Sequence, residues 1–320
     1  MKNPILALML ATATLVAQAQ TRWDLPSAYG ANTFQVQTLK SFADEVDRST
    51  GGKLKITLHP GASLFKANEI KRAVQTAQTP IGEFILSSAS NENALFGLDA
   101  VPFLATSYAQ ARKLSEVSRP ALEKLLASQG LKLLYTVPWP PQGLYTARPI
   151  TSLADLKGTK MRAYNPATTR IAELIGAQPV TIQLAELPQA LATGGVDNFL
   201  TSSASGVDSK LHEHVKFFYD VNAWLPRNAL IVNQRAFDAL DKPTQDAVLR
   251  AAAAAERQGW ATSEQKDGEY LKELAARGMT VDLSSEGLKR ELKAIGERMT
   301  VEWLATAGEE GRAVVEAYRR

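Results

Sequence analysis

Asp155-Leu156-Lys157-Gly158-Thr159-Lys160-Met161-Arg162-Ala163-Tyr164-Asn165 reads as a glycine turn feeding a short strand, Lys160 to Tyr164. Arg162 stands inside that strand, between Met161 and Ala163. A charge among apolar neighbours costs desolvation free energy unless an opposite charge meets it. Asn165-Pro166 ends the strand, because the residue before a proline is driven out of helical geometry. Ala167 to Ile175 has helical spacing, so Arg162 falls near the carboxyl end of a strand that enters a helix. Ligands of open α/β sheets gather at such ends. Two readings of Arg162 stay open: a structural arginine held by an internal carboxylate, or a receptor for an external anion.

Outward from this stretch, the second half continues as strand Pro179 to Gln183, short helix Leu187 to Ala192 and strand Val196 to Leu200. Phe217 to Val221 and Ala229 to Asn233 are further strands. Gln234 to Ala239, Pro243 to Ala276, Ser285 to Thr306 and Glu309 to Tyr318 read as helices, with Ser285 as a cap, and Val281 to Leu283 as a strand. The first half has the same rhythm: strand Trp23 to Ala28, helix Phe34 to Ser49, strand Leu54 to His59, helix Asn68 to Ala77, strand Gly82 to Leu86. That β-α-β-α-β order implies a parallel sheet with helices packed on it. Helix Tyr108 to Ser128 and strand Leu131 to Val137 follow. Pro138-Trp139-Pro140-Pro141-Gln142-Gly143 has no helix potential and reads as a crossing between domains, after which Leu144 to Ala147 resumes as strand.

One internal echo links the halves. Glu83-Phe84-Ile85-Leu86-Ser87-Ser88-Ala89-Ser90 and Asp197-Asn198-Phe199-Leu200-Thr201-Ser202-Ser203-Ala204-Ser205 are each an apolar strand spilling into a hydroxyl-rich turn. If both domains share a topology, the two turns face each other across a cleft. Hydroxyls and free N–H groups there suit an anion; ordinary loop composition is the plainer reading.

Met1-Lys2-Asn3, an apolar run from Pro4 to Ala17, and Ala17-Gln18-Ala19 have the parts of a secretory leader, residues 1–19, cleaved before Gln20. A retained membrane anchor is the alternative. Removing Lys2 takes the formal net charge from +3 to +2, which implies no nucleic-acid partner. The chain has no cysteine, so thiolate metal sites, thiol nucleophiles and a lipid-anchored cysteine are excluded. His212-Glu213-His214 is spaced i, i+2, off a common helix face, with no third ligand near it; His59 abuts Pro60 and reads as structural. No G-x-S-x-G, phosphate-binding loop or dinucleotide fingerprint is present, and no cofactor or metal is expected.

The residues resemble the extracytoplasmic solute-binding proteins of TRAP transporters, the DctP-type periplasmic receptors. The resemblance runs through Phe42-Ala43-Asp44-Glu45-Val46, Gly52-Lys53-Leu54-Lys55-Ile56 and Leu58-His59-Pro60. It continues in Leu156-Lys157-Gly158-Thr159-Lys160-Met161-Arg162 with Asn165, then Glu186, Ala190-Leu191 and Gly195-Val196-Asp197. It implies a two-lobed periplasmic-binding-protein-like α/β fold, with mixed sheets, helices on both faces and a long helix spanning the lobes. Lobe I is expected over 20–140 plus 228–267, and lobe II over 141–227 plus 268–320. The resemblance also implies a cleft that binds an organic acid, with Arg162 pairing with its carboxylate; the expected protein is a non-enzymatic periplasmic receptor, a monomer, that hands a small carboxylate to a TRAP membrane permease.

Three departures argue against a sugar acid. Gln142 stands where sialic-acid receptors carry a second arginine, Thr201 replaces a family asparagine, and Pro188 replaces a common tyrosine. The expected carboxylate contacts are Arg162, Asn165, Thr201, Ser202 and Gln142. Trp139, Tyr164, Phe199, Trp224, Asn228, Ser87 and Ser88 are expected around the rest of the ligand. The favoured ligand is an aromatic or apolar 2-oxo or 2-hydroxy monocarboxylate. A C4-dicarboxylate is the alternative and would need a second cation deep in the cleft. An exported α/β hydrolase or lyase, and a receptor feeding a sensor, are the rival classes.

Overall fold

The computed structural model describes residues 20–282 and 286–320. The expected leader, the end of the strand at Leu283 and the Ser285 cap lie outside the described residues. β1 (Thr21–Pro26), α1 (Phe34–Ser49) and β2 (Leu54–His59) form a β-α-β unit with β1 and β2 parallel. α1 starts where Thr33 Oγ1 accepts from Val36 N, and its Leu39, Phe42 and Val46 are buried in the core. α2 (Ile70–Gln75) and β3 (Ile81–Ile85) follow, then two 3-10 turns over Leu86–Ala89 and Ala94–Ala100. α3 (Tyr108–Ser128) and β4 (Leu131–Pro138) close this part of the chain.

The chain then crosses to β5 (Gln142–Thr146), β6 (Lys160–Ala163), α4 (Pro166–Ile175), β7 (Gln178–Thr181), α5 (Leu187–Ala192), β8 (Asn198–Ser202), α6 (Ser203–Asp208) and β9 (Phe217–Tyr219). It returns as β10 (Arg227–Asn233) and α7 (Gln234–Asp238). α8 (Lys242–Ala276), β11 (Thr280–Asp282), α9 (Glu286–Thr306) and α10 (Gly308–Arg319) complete it.

β10 runs antiparallel between β3 and β4. Its Ala229, Leu230, Ile231 and Val232 are fully buried. Ala229 and Ile231 pack with α2 and α3 residues such as Val74, Leu122 and Leu126. Leu230 and Val232 pack with Leu39 of α1 and Val248 of α8. A strand apolar on both faces belongs in the middle of a sheet covered on both sides. This corrects the all-parallel sheet expected for the first half. β1 and β2 are parallel, but β3 takes its ladder from β10. β1 lies alongside the start of β3, where Thr79 Oγ1 donates to Asp24 O.

The second sheet has six strands in the order β11-β9-β5-β8-β6-β7. β6 is parallel to β7 and β8, while β5 is antiparallel to β8 and β9. β8 starts two residues later than expected, so Thr201 and Ser202 are strand residues rather than loop.

The two sheet systems make two lobes, and α8 belongs to both. At 35 residues it is roughly 50 Å long. It packs on α1 and β4 in one lobe and on α6 and β11 in the other. Gly259 permits the crossing over β4: a Cβ there would sit 2.5 Å from Val137 Cγ2. Behind the lobes' junction, Arg227 Nε meets Asp99 Oδ2 at 3.1 Å, with both side chains buried.

Candidate functional site

A cavity of about 470 Å³ opens between the lobes, inside the roughly 300–1,000 Å³ range of small-molecule sites. The second lobe contributes the carboxyl end of β6. Pleating sends Arg162 and Tyr164 to one face, while Met161 joins the core on the other. Arg162 is 3% exposed and lines the cavity. Its Nε donates to Ile182 O at 2.8 Å, just past β7. Its guanidinium carbon lies 4.8 Å from the centre of the Tyr164 ring, a cation–π arrangement. Among the described residues no carboxylate pairs with Arg162. Burial pushes its guanidinium down to about 10, an effect that the Tyr164 and Tyr29 phenols oppose. It is still protonated at neutral pH.

Tyr164 Oη donates to Gln142 Oε1 at 3.3 Å, and Gln142 Nε2 donates to Pro140 O at 3.3 Å. Tyr164, Gln142 and Thr201 all line the cavity. Thr201 faces Gly143 across the β5–β8 ladder. On its other side Gly143 meets β9: a Cβ there would lie 2.2 Å from Phe218 Cζ, so glycine lets the Phe218 ring pack against it.

The first lobe contributes Tyr29, Glu83, Ser88 and Trp139. The Tyr29 and Trp139 rings are tilted at 56° with centroids 4.8 Å apart. Glu83 stands in the middle of β3, 3% exposed. Ser27 Oγ donates to its Oε2 at 2.6 Å, and Asn228 Nδ2 to its Oε1 at 2.9 Å. Trp139 Nε1 donates to Asn228 Oδ1 at 2.9 Å. Burial pushes the Glu83 carboxyl up, and the two hydrogen bonds pull it back.

Of the residues expected from sequence, Arg162, Tyr164, Gln142, Thr201, Trp139 and Ser88 line this cavity. The other six lie behind its wall. Asn165 caps α4 through Thr168 N, and its Nδ2 donates to Ser87 Oγ at 2.8 Å; this bond joins the lobes. Ser202 caps α6 at Ser205 N. Phe199 shares a strand face with Thr201 but lies deeper, stacked on Tyr145 at 4.9 Å and 12°. Trp224 is fully buried in the core. Asn228 sits behind Trp139 and Glu83. Sequence reasoning missed Tyr29 and Glu83. For Glu83 the signal was present: a charge inside a short apolar strand, the ground on which Arg162 was chosen.

Residues 27–303 match the family model of the bacterial extracellular solute-binding protein, family 7 (DctP), and the chain belongs to that family. It is a solute-binding receptor of TRAP transport, not an enzyme. The chain is 52% identical to DctP6, a Bordetella pertussis extracytoplasmic solute receptor binding pyroglutamic acid. The match covers 93% of this chain and 99% of that one, with a TM-score of 0.92. A marine metagenome TRAP solute-binding protein specific for pyroglutamate is 45% identical, over 94% and 99% of the two chains, with a TM-score of 0.92. A solute-binding protein of Albidiferax ferrireducens is 26% identical over 265 residues, 80% of this chain and 78% of that one. No helix among the described residues is long and apolar enough to cross a membrane.

Proposed function

We propose that this receptor captures a small cyclic monocarboxylate of the pyroglutamate class and delivers it to a TRAP permease from the periplasmic side. The carboxylate docks on Arg162, and the lobes close over it. The observation that carries the reading is a buried, protonated guanidinium that lines the interlobe cavity and, among the described residues, pairs with no internal carboxylate. A planar guanidinium donates to a carboxylate bidentately, and Tyr29, Trp139 and Tyr164 supply aromatic wall to the cavity. Relatives 45% and 52% identical that bind pyroglutamate support the ligand class. The second ionisable group deep in the cavity is Glu83, an acid, which disfavours the C4-dicarboxylate of the alternative reading. Lys66 also lines the cavity, but it is exposed.

Isothermal titration with pyroglutamate, phenylpyruvate and succinate tests this. Saturable one-to-one binding of pyroglutamate, with succinate much weaker, is expected. Phenylpyruvate as the tighter ligand would restore the aromatic monocarboxylate favoured by sequence. Binding of succinate alone would overturn the assignment.

A further inference from the structure

We propose that Lys66 and Glu186 pair across the mouth of the cavity when the lobes close, and that this pair slows release of the captured ligand. The proposal rests on the carboxylate and closure reading above; it concerns the rim, not the groups that touch the ligand. The charged residues that line the cavity are Lys66 and Glu83 from the first lobe and Arg162 and Glu186 from the second. Glu83 and Arg162 are buried. Lys66 and Glu186 are exposed, so they stand where the cavity meets solvent. One rim therefore carries a base and the other an acid, and opposite charges attract as the rims approach. Their neighbours on the lining, Ala67 and Asn68 on one side and Gln183, Leu184 and Ala185 on the other, are uncharged.

Local bonds hold both residues at the rim and leave both charges unpaired. Lys66 lies in the loop between β2 and α2. Its backbone N donates to Glu69 Oε2 at 3.1 Å, which shapes the entry to α2 without using the ammonium. Glu186 ends the 3-10 turn Leu184–Glu186, between β7 and α5. Its Oε2 accepts from Gln183 N at 3.3 Å, a bond to a neutral group. Among the described residues neither Lys66 nor Glu186 has an ion-pair partner. An exposed pair is worth only about a two- to fivefold change in an equilibrium or rate. That suits a receptor that must later give its ligand up. The latch also predicts a sign that simple charge repulsion does not. An acid at the mouth repels an anionic ligand, so on repulsion alone its neutralisation would favour binding. If Glu186 serves the latch, its neutralisation must instead hasten release. Glutamine at this position still accepts from Gln183 N, so the turn is kept.

The test follows pyroglutamate release from the full chain by stopped-flow tryptophan fluorescence, with Kd from titration calorimetry. The proteins are the unsubstituted chain, Lys66→Gln, Glu186→Gln, the double neutral variant, and the charge exchange Lys66→Glu with Glu186→Lys. Each neutral variant is expected to release ligand about two- to fivefold faster, and the double variant no faster than either alone, since one interaction is lost once. The charge exchange should return release to within about twofold of the parent. These differences should shrink in about 1 M salt, where the screening length is about 3 Å. Unchanged or slower release from Glu186→Gln overturns the proposal, as do additive effects in the double variant or a charge exchange that stays fast. If pyroglutamate binds every protein alike, the carboxylate reading stands and the latch falls. If pyroglutamate fails to bind the unsubstituted chain, the carboxylate reading fails and takes the latch with it.

Discussion

Arg162→Met separates the two faces of a buried charge. Methionine keeps an unbranched, apolar side chain and removes the guanidinium. The charge is 3% exposed, and among the described residues it has one protein acceptor, Ile182 O at 2.8 Å. Its removal relieves a desolvation penalty but leaves Ile182 O without its donor, which costs about 1–3 kcal/mol. The two effects oppose, so the ligand-free melting temperature should stay within a few degrees of the parent. With ligand the balance is one-sided. The carboxylate would be buried without its counter-charge, at a cost of about 2–5 kcal/mol. That is about 30-fold to several-thousand-fold in Kd, at about 1.4 kcal/mol per decade. In scanning calorimetry at about 100 times the parent Kd, ligand stabilises the parent by about 2.7 kcal/mol. A variant weakened about 100-fold keeps only about 0.4 kcal/mol of that. Titration calorimetry gives the Kd directly. A folded Arg162→Met protein that binds within about threefold of the parent would refute the assignment of Arg162 to the ligand.

Ser87→Ala removes the acceptor of the Asn165 bond between the lobes. A net loss of about 0.5–1.5 kcal/mol should weaken binding about 2- to 12-fold, mainly as faster dissociation in stopped-flow fluorescence; an unchanged off-rate would show that the bond does not favour the closed form. Asp208 sits at the end of α6, its carboxyl raised to about 7 by burial and then by Glu273, with Lys266 and Arg277 opposing. The folded state therefore holds a proton that the unfolded state has released, and stability falls as pH rises from about 4 through about 7. Asp208→Asn should flatten that slope, raising the melting temperature at pH 8 more than at pH 5; a parallel offset at all pH values would contradict this origin.

Local signals in the chain were legible where one residue dictates one geometry. The helix expected over Phe34 to Ser49 is α1, and its Leu39, Phe42 and Val46 face the core. Asn165-Pro166 marks the β6–α4 junction, and Arg162 announces itself as a charge in a strand. Ladder order was not legible. The partners of β3 and β4 lie in β10, and nothing near Ile81 encodes a strand so far along the chain. Depth within a face was not legible either. Phe199 and Thr201 share a periodicity, yet only Tyr145 stacking from β5 decides that Phe199 is core and Thr201 is cavity wall. Asn228 was expected beside the ligand; its amide is instead committed to Trp139 and Glu83. Glu83 carries the same signal as Arg162, a charge inside an apolar strand.

The central placement of β10 bears on biosynthesis. While a nascent chain has not yet exposed Asn233 to solvent, β3 and β4 have no strand between them, and Phe84 and Leu133 have no Ala229 or Ile231 to pack against. A chain ending before β10 already contains β5, β6, β7, β8 and β9 of the second sheet, but it cannot complete the β3-β10-β4 sheet of the first lobe. Completion of the first lobe therefore waits for Asn233 of the 320-residue chain, after every strand of the second sheet except β11.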